Sequence, residues 1–162
     1  MNNTRKLTIS GMVMAMYIAI MFFTQSFASQ AVQFRVATTL YSLSYIFPFL
    51  ILPIGIANAF SNFLMGGLGI LDVVGGFIAG IVVSWLAYLL RRYELPKILI
   101  IPIIALGNGL IVPIWLSYLL GIPYMALVVN VTLGQLPSGI AAYFLITLLD
   151  KHMKKTGGYI VD

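Results

Sequence analysis

The sequence predicts an all-α, polytopic membrane protein with six transmembrane helices and both termini in the cytoplasm. Three observations lead there. Of the 162 residues, 61% are hydrophobic and only 8% are charged, whereas a soluble globular domain carries about 25% charged residues. A chain so poor in charge cannot cover a water-facing surface, and lipid must solvate most of it. The mean hydropathy is +1.05, and a length of 162 residues leaves room for about six spans of ~20 residues and short loops, and none for a separate soluble domain. The third observation is the placement of the basic residues.

Those residues fall into three clusters: Arg5 and Lys6, then Arg91, Arg92 and Lys97, then Lys151, Lys154 and Lys155 beside His152. Short loops rich in Lys and Arg stay in the cytoplasm, so an even number of crossings must separate the clusters. Residues 98–149 suit two helices with a hairpin at Gly121-Ile122-Pro123, and residues 7–90 suit four. The expected helices are 7–27, 38–52, 54–68, 70–90, 98–119 and 124–149, in a single transmembrane domain covering 1–162. The third, of about 15 residues, would reach only ~22 Å, and Pro48 and Pro53 blur the end of the second. Cleavage after a signal peptide at Ser26-Phe27-Ala28 is disfavoured. The apolar run Leu7–Phe23 is longer than an h-region of ~7–15 residues, and cleavage would leave an odd number of crossings.

Several function classes drop out. The chain has no cysteine, which excludes disulfides, thiolate metal sites and a Cys nucleophile. Its single His lies in the predicted cytoplasmic tail, and no acid–base pair or metal-ligand set is discernible, so an enzyme is not expected. The net charge of +5 follows the membrane topology and does not point to nucleic acid.

Polar residues inside apolar spans are costly and therefore informative. On the first helix Gly11, Ala15 and Ala19 form a small-residue stripe, which suits internal packing or a partner helix. On the third, Asn58, Ser61 and Asn62 share one face and either bond other helices or line a site. Asp72, the only acid between Lys6 and Glu94, is read either as the N-cap of the fourth helix or as a ligand contact. Gly66-Gly67-Leu68-Gly69 lacks the Lys-Ser/Thr of a phosphate loop. Asn108, Val112 and Trp115 share a stripe on the fifth helix, where an amide and an indole suit a flat heterocycle; Trp115 alternatively anchors at the interface. On the sixth helix Asn130 and Gln135 lie near Gly134 and Pro137, the latter expected to kink the helix and free a carbonyl. Arg35 is the lone basic residue on the outer side. These groups lie at mid-membrane or in the outer half, which predicts an outward-opening, hydrogen-bonding pocket for a small polar molecule.

Gln33-Phe34-Arg35-Val36, Ala57-Asn58-Ala59-Phe60-Ser61, Leu68-Gly69-Ile70-Leu71-Asp72-Val73, Asn108-Gly109-Leu110-Ile111-Val112 and Leu133-Gly134-Gln135 occur in that order. With them the chain resembles the QueT family from about residue 7 to 150. These are S components of energy-coupling factor (ECF) transporters, associated with uptake of queuosine precursors. The resemblance implies an S-component bundle in a bacterial cell membrane. It implies substrate contacts from Gln33, Arg35, Asn58, Asn62, Asp72, Asn108, Trp115, Asn130 and Gln135, and a first external loop acting as a lid. It also implies docking through Gly11, Ala15 and Ala19 onto the coupling subunit EcfT. ATP would be hydrolysed by two partner ECF ATPases, with no cofactor or metal in this chain. The chain departs from the family pattern at two places: Thr38 stands where a Glu is usual, and Gly134-Gln135 stands for Gly-Glu. A cationic aminomethyl deazaguanine would then find its acid mainly in Asp72, while Arg35 favours an acceptor edge or an anionic group. A different vitamin, a stand-alone secondary transporter and a ligand-free membrane scaffold are the other readings.

Overall fold

A computed structural model describes residues 2–28, 35–65 and 68–155. Among them there is no strand; the helices are α1 (Asn3–Ala28), α2 (Ile51–Met65), α3 (Ile70–Arg92), α4 (Ile100–Ile111), α5 (Pro113–Leu120) and α6 (Tyr124–Lys155), with 3-10 helices at Val36–Tyr45, Pro48–Leu50 and Lys97–Leu99. Five stretches are long and apolar enough to cross a membrane: Asn3–Thr24, Pro48–Met65, Ile70–Arg92, Lys97–Leu120 and Tyr124–Lys155.

The α-helix expected over 38–52 is instead a ten-residue 3-10 helix, Val36–Tyr45. Its side chains fit that geometry. The Thr38 hydroxyl reaches the Arg35 carbonyl and the Ser42 hydroxyl donates to the Thr39 carbonyl at 2.7 Å, both three residues back, as three residues per turn requires. At ~2.0 Å per residue the segment extends ~20 Å, against ~15 Å for an α-helix of ten residues. Pro48 ends it: the residue before a proline is forced from the helical region, and Phe47 sits at φ −122°, ψ 84°. α2 then begins at Ile51 rather than 54, since Pro53 falls in its first turn, where no N–H is required.

Two further differences have proline causes. The fifth expected helix is divided at Val112. Pro113 has no N–H to offer the Gly109 carbonyl, although Val112 itself stays helical at φ −61°, ψ −41°. α6 carries Pro137 within an unbroken helical assignment and runs on to Lys155, six residues past the expected end. The hairpin is as expected: Gly121, at φ +65°, closes α5 in the left-handed conformation.

Packing is built on close backbone approach. A Cβ on Gly80 would lie 3.0 Å from the Gly55 Cα, and one on Gly139 would lie 2.9 Å from the Ile101 carbonyl oxygen. These positions seat α3 on α2 and α6 on α4. The long 3-10 helix is enclosed by α1, α3, α4 and α6, and eight of its ten residues are buried. The molecule is apolar outside, with Phe22, Phe23, Phe63, Ile114, Phe144 and Leu148 exposed. Inside it holds Thr38, Ser42, Asn58, Ser61, Asn62, Asp72, Asn108, Gln135 and Ser138. Water would not tolerate that exterior; hydrocarbon does.

α1 is the least enclosed helix. Its apolar window is 17% buried, against 39% to 44% for the other four. Val13, Tyr17 and Met21 face inward. Residues 15 and 17 are ~200° apart around a helix, and Gly11, Ala15 and Ala19 are exposed; a Cβ on Gly11 would meet nothing within 4 Å.

The second and third basic clusters meet at one end of the bundle. Lys97 pairs with Asp150, which Lys154 also approaches at 3.4 Å. Arg91 donates to the Tyr45 carbonyl at 3.5 Å and lies 5.6 Å from the centre of its ring.

Candidate functional site

Asp72 and Arg91 are nineteen residues apart on α3, which is ~28 Å. The basic end and the polar cluster around Asp72 are therefore at opposite ends of that helix. The cluster is a chain of contacts running across five elements. The Trp115 indole N–H, from α5, donates to Asp72 Oδ1 at 3.0 Å. The main-chain carbonyl of Asp72 accepts the Asn62 amide, from α2, at 2.9 Å. Asn62 Oδ1 accepts an Arg35 guanidinium N–H. The Arg35 carbonyl is approached by Thr38 Oγ1 at 2.6 Å and accepts the Ser138 hydroxyl, from α6, at 2.9 Å. Thr38 Oγ1 also lies 2.6 Å from Gln135 Oε1.

Local backbone features make the chain possible. Gly75 leaves room for the Trp115 ring on α3, and Gly76 leaves room for the Asn62 amide; a Cβ on either would run into them. Asp72 is only 7% exposed. It is not the N-cap: Gly69, at φ +86°, caps α3 with no side-chain cap bond, and the Asp72 carboxylate is used on Trp115. Still in the first turn of α3, it remains where the helix dipole favours an anion.

A second network lies one turn further along α2. Tyr17 donates its hydroxyl to Asn58 Oδ1 at 3.1 Å, Asn58 Nδ2 donates to the Tyr41 hydroxyl at 2.8 Å, and the two hydroxyls are 3.3 Å apart. With Tyr41 donating back to Tyr17, each hydroxyl proton has one acceptor and the ring closes. The second Asn58 N–H donates to the Gly76 carbonyl at 2.6 Å. The tyrosine rings stack, with centroids 6.0 Å apart and planes 5° from parallel. Both amide hydrogens and the carbonyl of Asn58 are thus engaged by protein. Its place is in the framework joining α1, the 3-10 helix, α2 and α3, and not at a free binding surface.

Of the residues singled out from sequence, Arg35, Asn62, Asp72, Trp115 and Gln135 are brought together. Asn108 is buried, but its amide donates to Ile104 of its own helix at 2.8 Å and reaches none of the others. Asn130 is half-buried and makes no side-chain hydrogen bond among the described residues. Ser61 bonds back to the Ala57 carbonyl at 2.7 Å. Gln33 and residues 29–34 of the expected lid, the loop between the helices expected at 7–27 and 38–52, lie outside the described residues.

Sequence reasoning missed Tyr17, Tyr41 and Ser138. Ser138 offered a faint signal, a hydroxyl one residue after Pro137 on a polar stretch of α6. The tyrosines offered none, being common in membrane helices. Thr38 stood out only as a departure from the family pattern, and the two departures, Thr38 and Gln135, touch each other.

The arrangement combines a guanidinium, a buried carboxylate, amides and an indole at one end of an apolar bundle. That is suited to holding a small polar molecule. Among the described residues no group of three or more His, Asp or Glu converges as a metal site. A search of curated proteins and one of solved structures found no match to the chain. A family model, that of the QueT transporter, matches residues 7–151. The chain therefore belongs to the QueT transporter family, a family of membrane transporters and not of enzymes.

Proposed function

We propose that this chain is the substrate-binding S component of an ECF-type transporter, taking up a micronutrient, namely a queuosine precursor such as a deazaguanine or queuine. The observation that carries the reading is the contact chain Trp115–Asp72–Asn62–Arg35–Thr38–Gln135, set at one end of an apolar bundle in a chain of this family. Trp115 and Asp72 would hold a flat, N–H-bearing heterocycle, and Arg35 would close over it from the start of the 3-10 helix.

The chain crosses the membrane six times in this reading, with both termini in the cytoplasm. In support, the 3-10 helix starts beside Asn62 through Arg35 and ends beside Arg91, so it runs from the polar cluster to the basic end. The positive-inside rule puts the end bearing Arg91, Lys97 and Lys154 in the cytoplasm and opens the polar cluster outward. Transport needs partners: the exposed stripe Gly11, Ala15 and Ala19 would dock on EcfT, and two ECF ATPases would hydrolyse ATP.

The test is ligand-induced stabilisation of the purified chain, heated with 7-deazaguanine, its aminomethyl derivative or queuine. A ligand at one hundred times its Kd stabilises the folded state by about 2.7 kcal/mol, a shift of about 5–11 °C in Tm. Stabilisation by a common vitamin instead would keep the S-component reading and replace the substrate. Folded protein that responds to none of these compounds would refute the substrate assignment.

A further inference from the structure

The Thr38 hydroxyl sits between two acceptors. Its Oγ1 is 2.6 Å from the Arg35 carbonyl and 2.6 Å from Oε1 of Gln135, yet a hydroxyl has one proton to give. The Arg35 carbonyl can only accept. The Gln135 amide can be turned about its last bond, exchanging oxygen for nitrogen in nearly the same positions. Once it is turned, Nε2 donates to Thr38 Oγ1 and Thr38 donates onward to Arg35, so that each bond has its own proton. The Ser138 hydroxyl supplies the second donor to the same carbonyl.

This turn changes what the site offers. Gln135 is 1% exposed, and turned this way its carbonyl oxygen is no longer spent on Thr38. Asp72, whose Oδ1 takes the Trp115 indole N–H, brings a second acceptor oxygen to the same cluster. Acceptors that face a ligand are matched by donors on that ligand.

We infer that Gln135, held by Thr38, is a specificity-determining residue that presents a carbonyl oxygen to the ligand. With Asp72 it selects molecules bearing a donor edge, such as the amino and ring N–H groups of a 2-aminopyrimidinone. This inference rests on the proposed S-component reading and adds the polarity of the pocket to it. Arg35 provides the donor for the ligand's own acceptor.

The experiment uses the full purified chain and two probes, 7-deazaguanine and 7-deazahypoxanthine, which differ only by the 2-amino group. Wild type is expected to bind the first about tenfold more tightly or better, the ratio that one unmatched buried acceptor produces. Thr38→Val, which frees the amide to turn back, should narrow that ratio at least threefold, and Thr38→Ser should preserve it. Gln135→Glu keeps acceptor oxygens and should keep the preference, whereas Gln135→Met should lose it. Equal binding of the two probes by wild type, or a Thr38→Val protein that discriminates as well as Thr38→Ser, would overturn the inference and leave the function standing. If neither probe stabilises folded wild type, the substrate reading fails and this inference fails with it.

Discussion

Two sets of small residues on helices meet opposite environments in this fold. On α2 and α3, Gly55, Gly76 and Gly80 are buried and face neighbouring atoms so closely that no side chain fits. On α1, Gly11, Ala15 and Ala19 are exposed, with nothing near Gly11. The two sets carry the same sequence signal for close helix approach, but that signal does not say whether the approaching helix belongs to the same chain. The inward face of α1 answers the question for this molecule. Val13, Tyr17 and Met21 already seat α1 on the bundle, so its small stripe is left for another surface.

The strongest way to break this comparison is to fill the internal set. Gly80→Leu drives a branched side chain into the Gly55 backbone, which cannot move aside as a flexible side chain would. Overpacking of this kind costs about 3 kcal/mol, and the purified protein should unfold many degrees lower or fail to accumulate. A Gly80→Leu protein that melts like wild type would mean that the α2–α3 contact is looser than its geometry implies.

Next in size is the framework that ties α1 to the others. Asn58→Ala removes three hydrogen bonds at once, taking an acceptor from Tyr17 and a donor each from Tyr41 and the Gly76 carbonyl. About 2 kcal/mol of stability should go, read as a lower Tm without ligand. The loss should be the same for a saturating probe and for none, because Asn58 serves the framework. A selective loss of ligand-bound stability would return Asn58 to the binding surface.

How much of this was legible beforehand follows from what each signal measures. Low charge and clustered Lys and Arg report solvent and sidedness, and so gave the helix class, while the Gly121-Ile122-Pro123 turn gave the α6 start at Tyr124. They say nothing of pitch. In Val36–Tyr45 the segment is buried nearly all round, so no apolar stripe distinguishes three residues per turn from 3.6. Asn62, Asp72, Trp115 and Gln135 were visible because polar groups in a membrane need a reason. Their pairing was not, since Asp72 and Trp115 are 43 residues apart and Thr38 and Gln135 are 97 apart. Asn108 is the same residue type as Asn62, is also buried, and bonds its own helix; residue type alone could not separate the two cases.

A smaller effect tests how α1 is held. Tyr17 hydrogen-bonds α1 to the 3-10 helix and to α2, whereas the Thr8 and Thr24 hydroxyls bond within the helix. Interhelical hydrogen bonds in membranes average about 0.6 kcal/mol. Tyr17→Phe keeps the ring stacked on Tyr41 and should cost about 1 kcal/mol or less in a denaturant titration. A much larger loss would show that the closed ring of hydroxyls and amide acts cooperatively.

The smallest effect on the fold belongs to Ala15→Leu, and it sharpens the comparison most. The side chain points away from Tyr17 and the core, so an added leucine meets lipid and should shift stability by less than about 0.5 kcal/mol. Probe binding should be unchanged for the same reason, because the contact chain from Trp115 to Gln135 does not involve α1. If the stripe is a docking face, the same substitution should abolish co-purification with the coupling subunit, because the partner helix can no longer approach the α1 backbone. An unchanged Tm with a lost complex would separate the two kinds of small stripe in one variant. A complex that survives Ala15→Leu would move the docking face elsewhere, and the exposure of the stripe would then be no more than lipid contact.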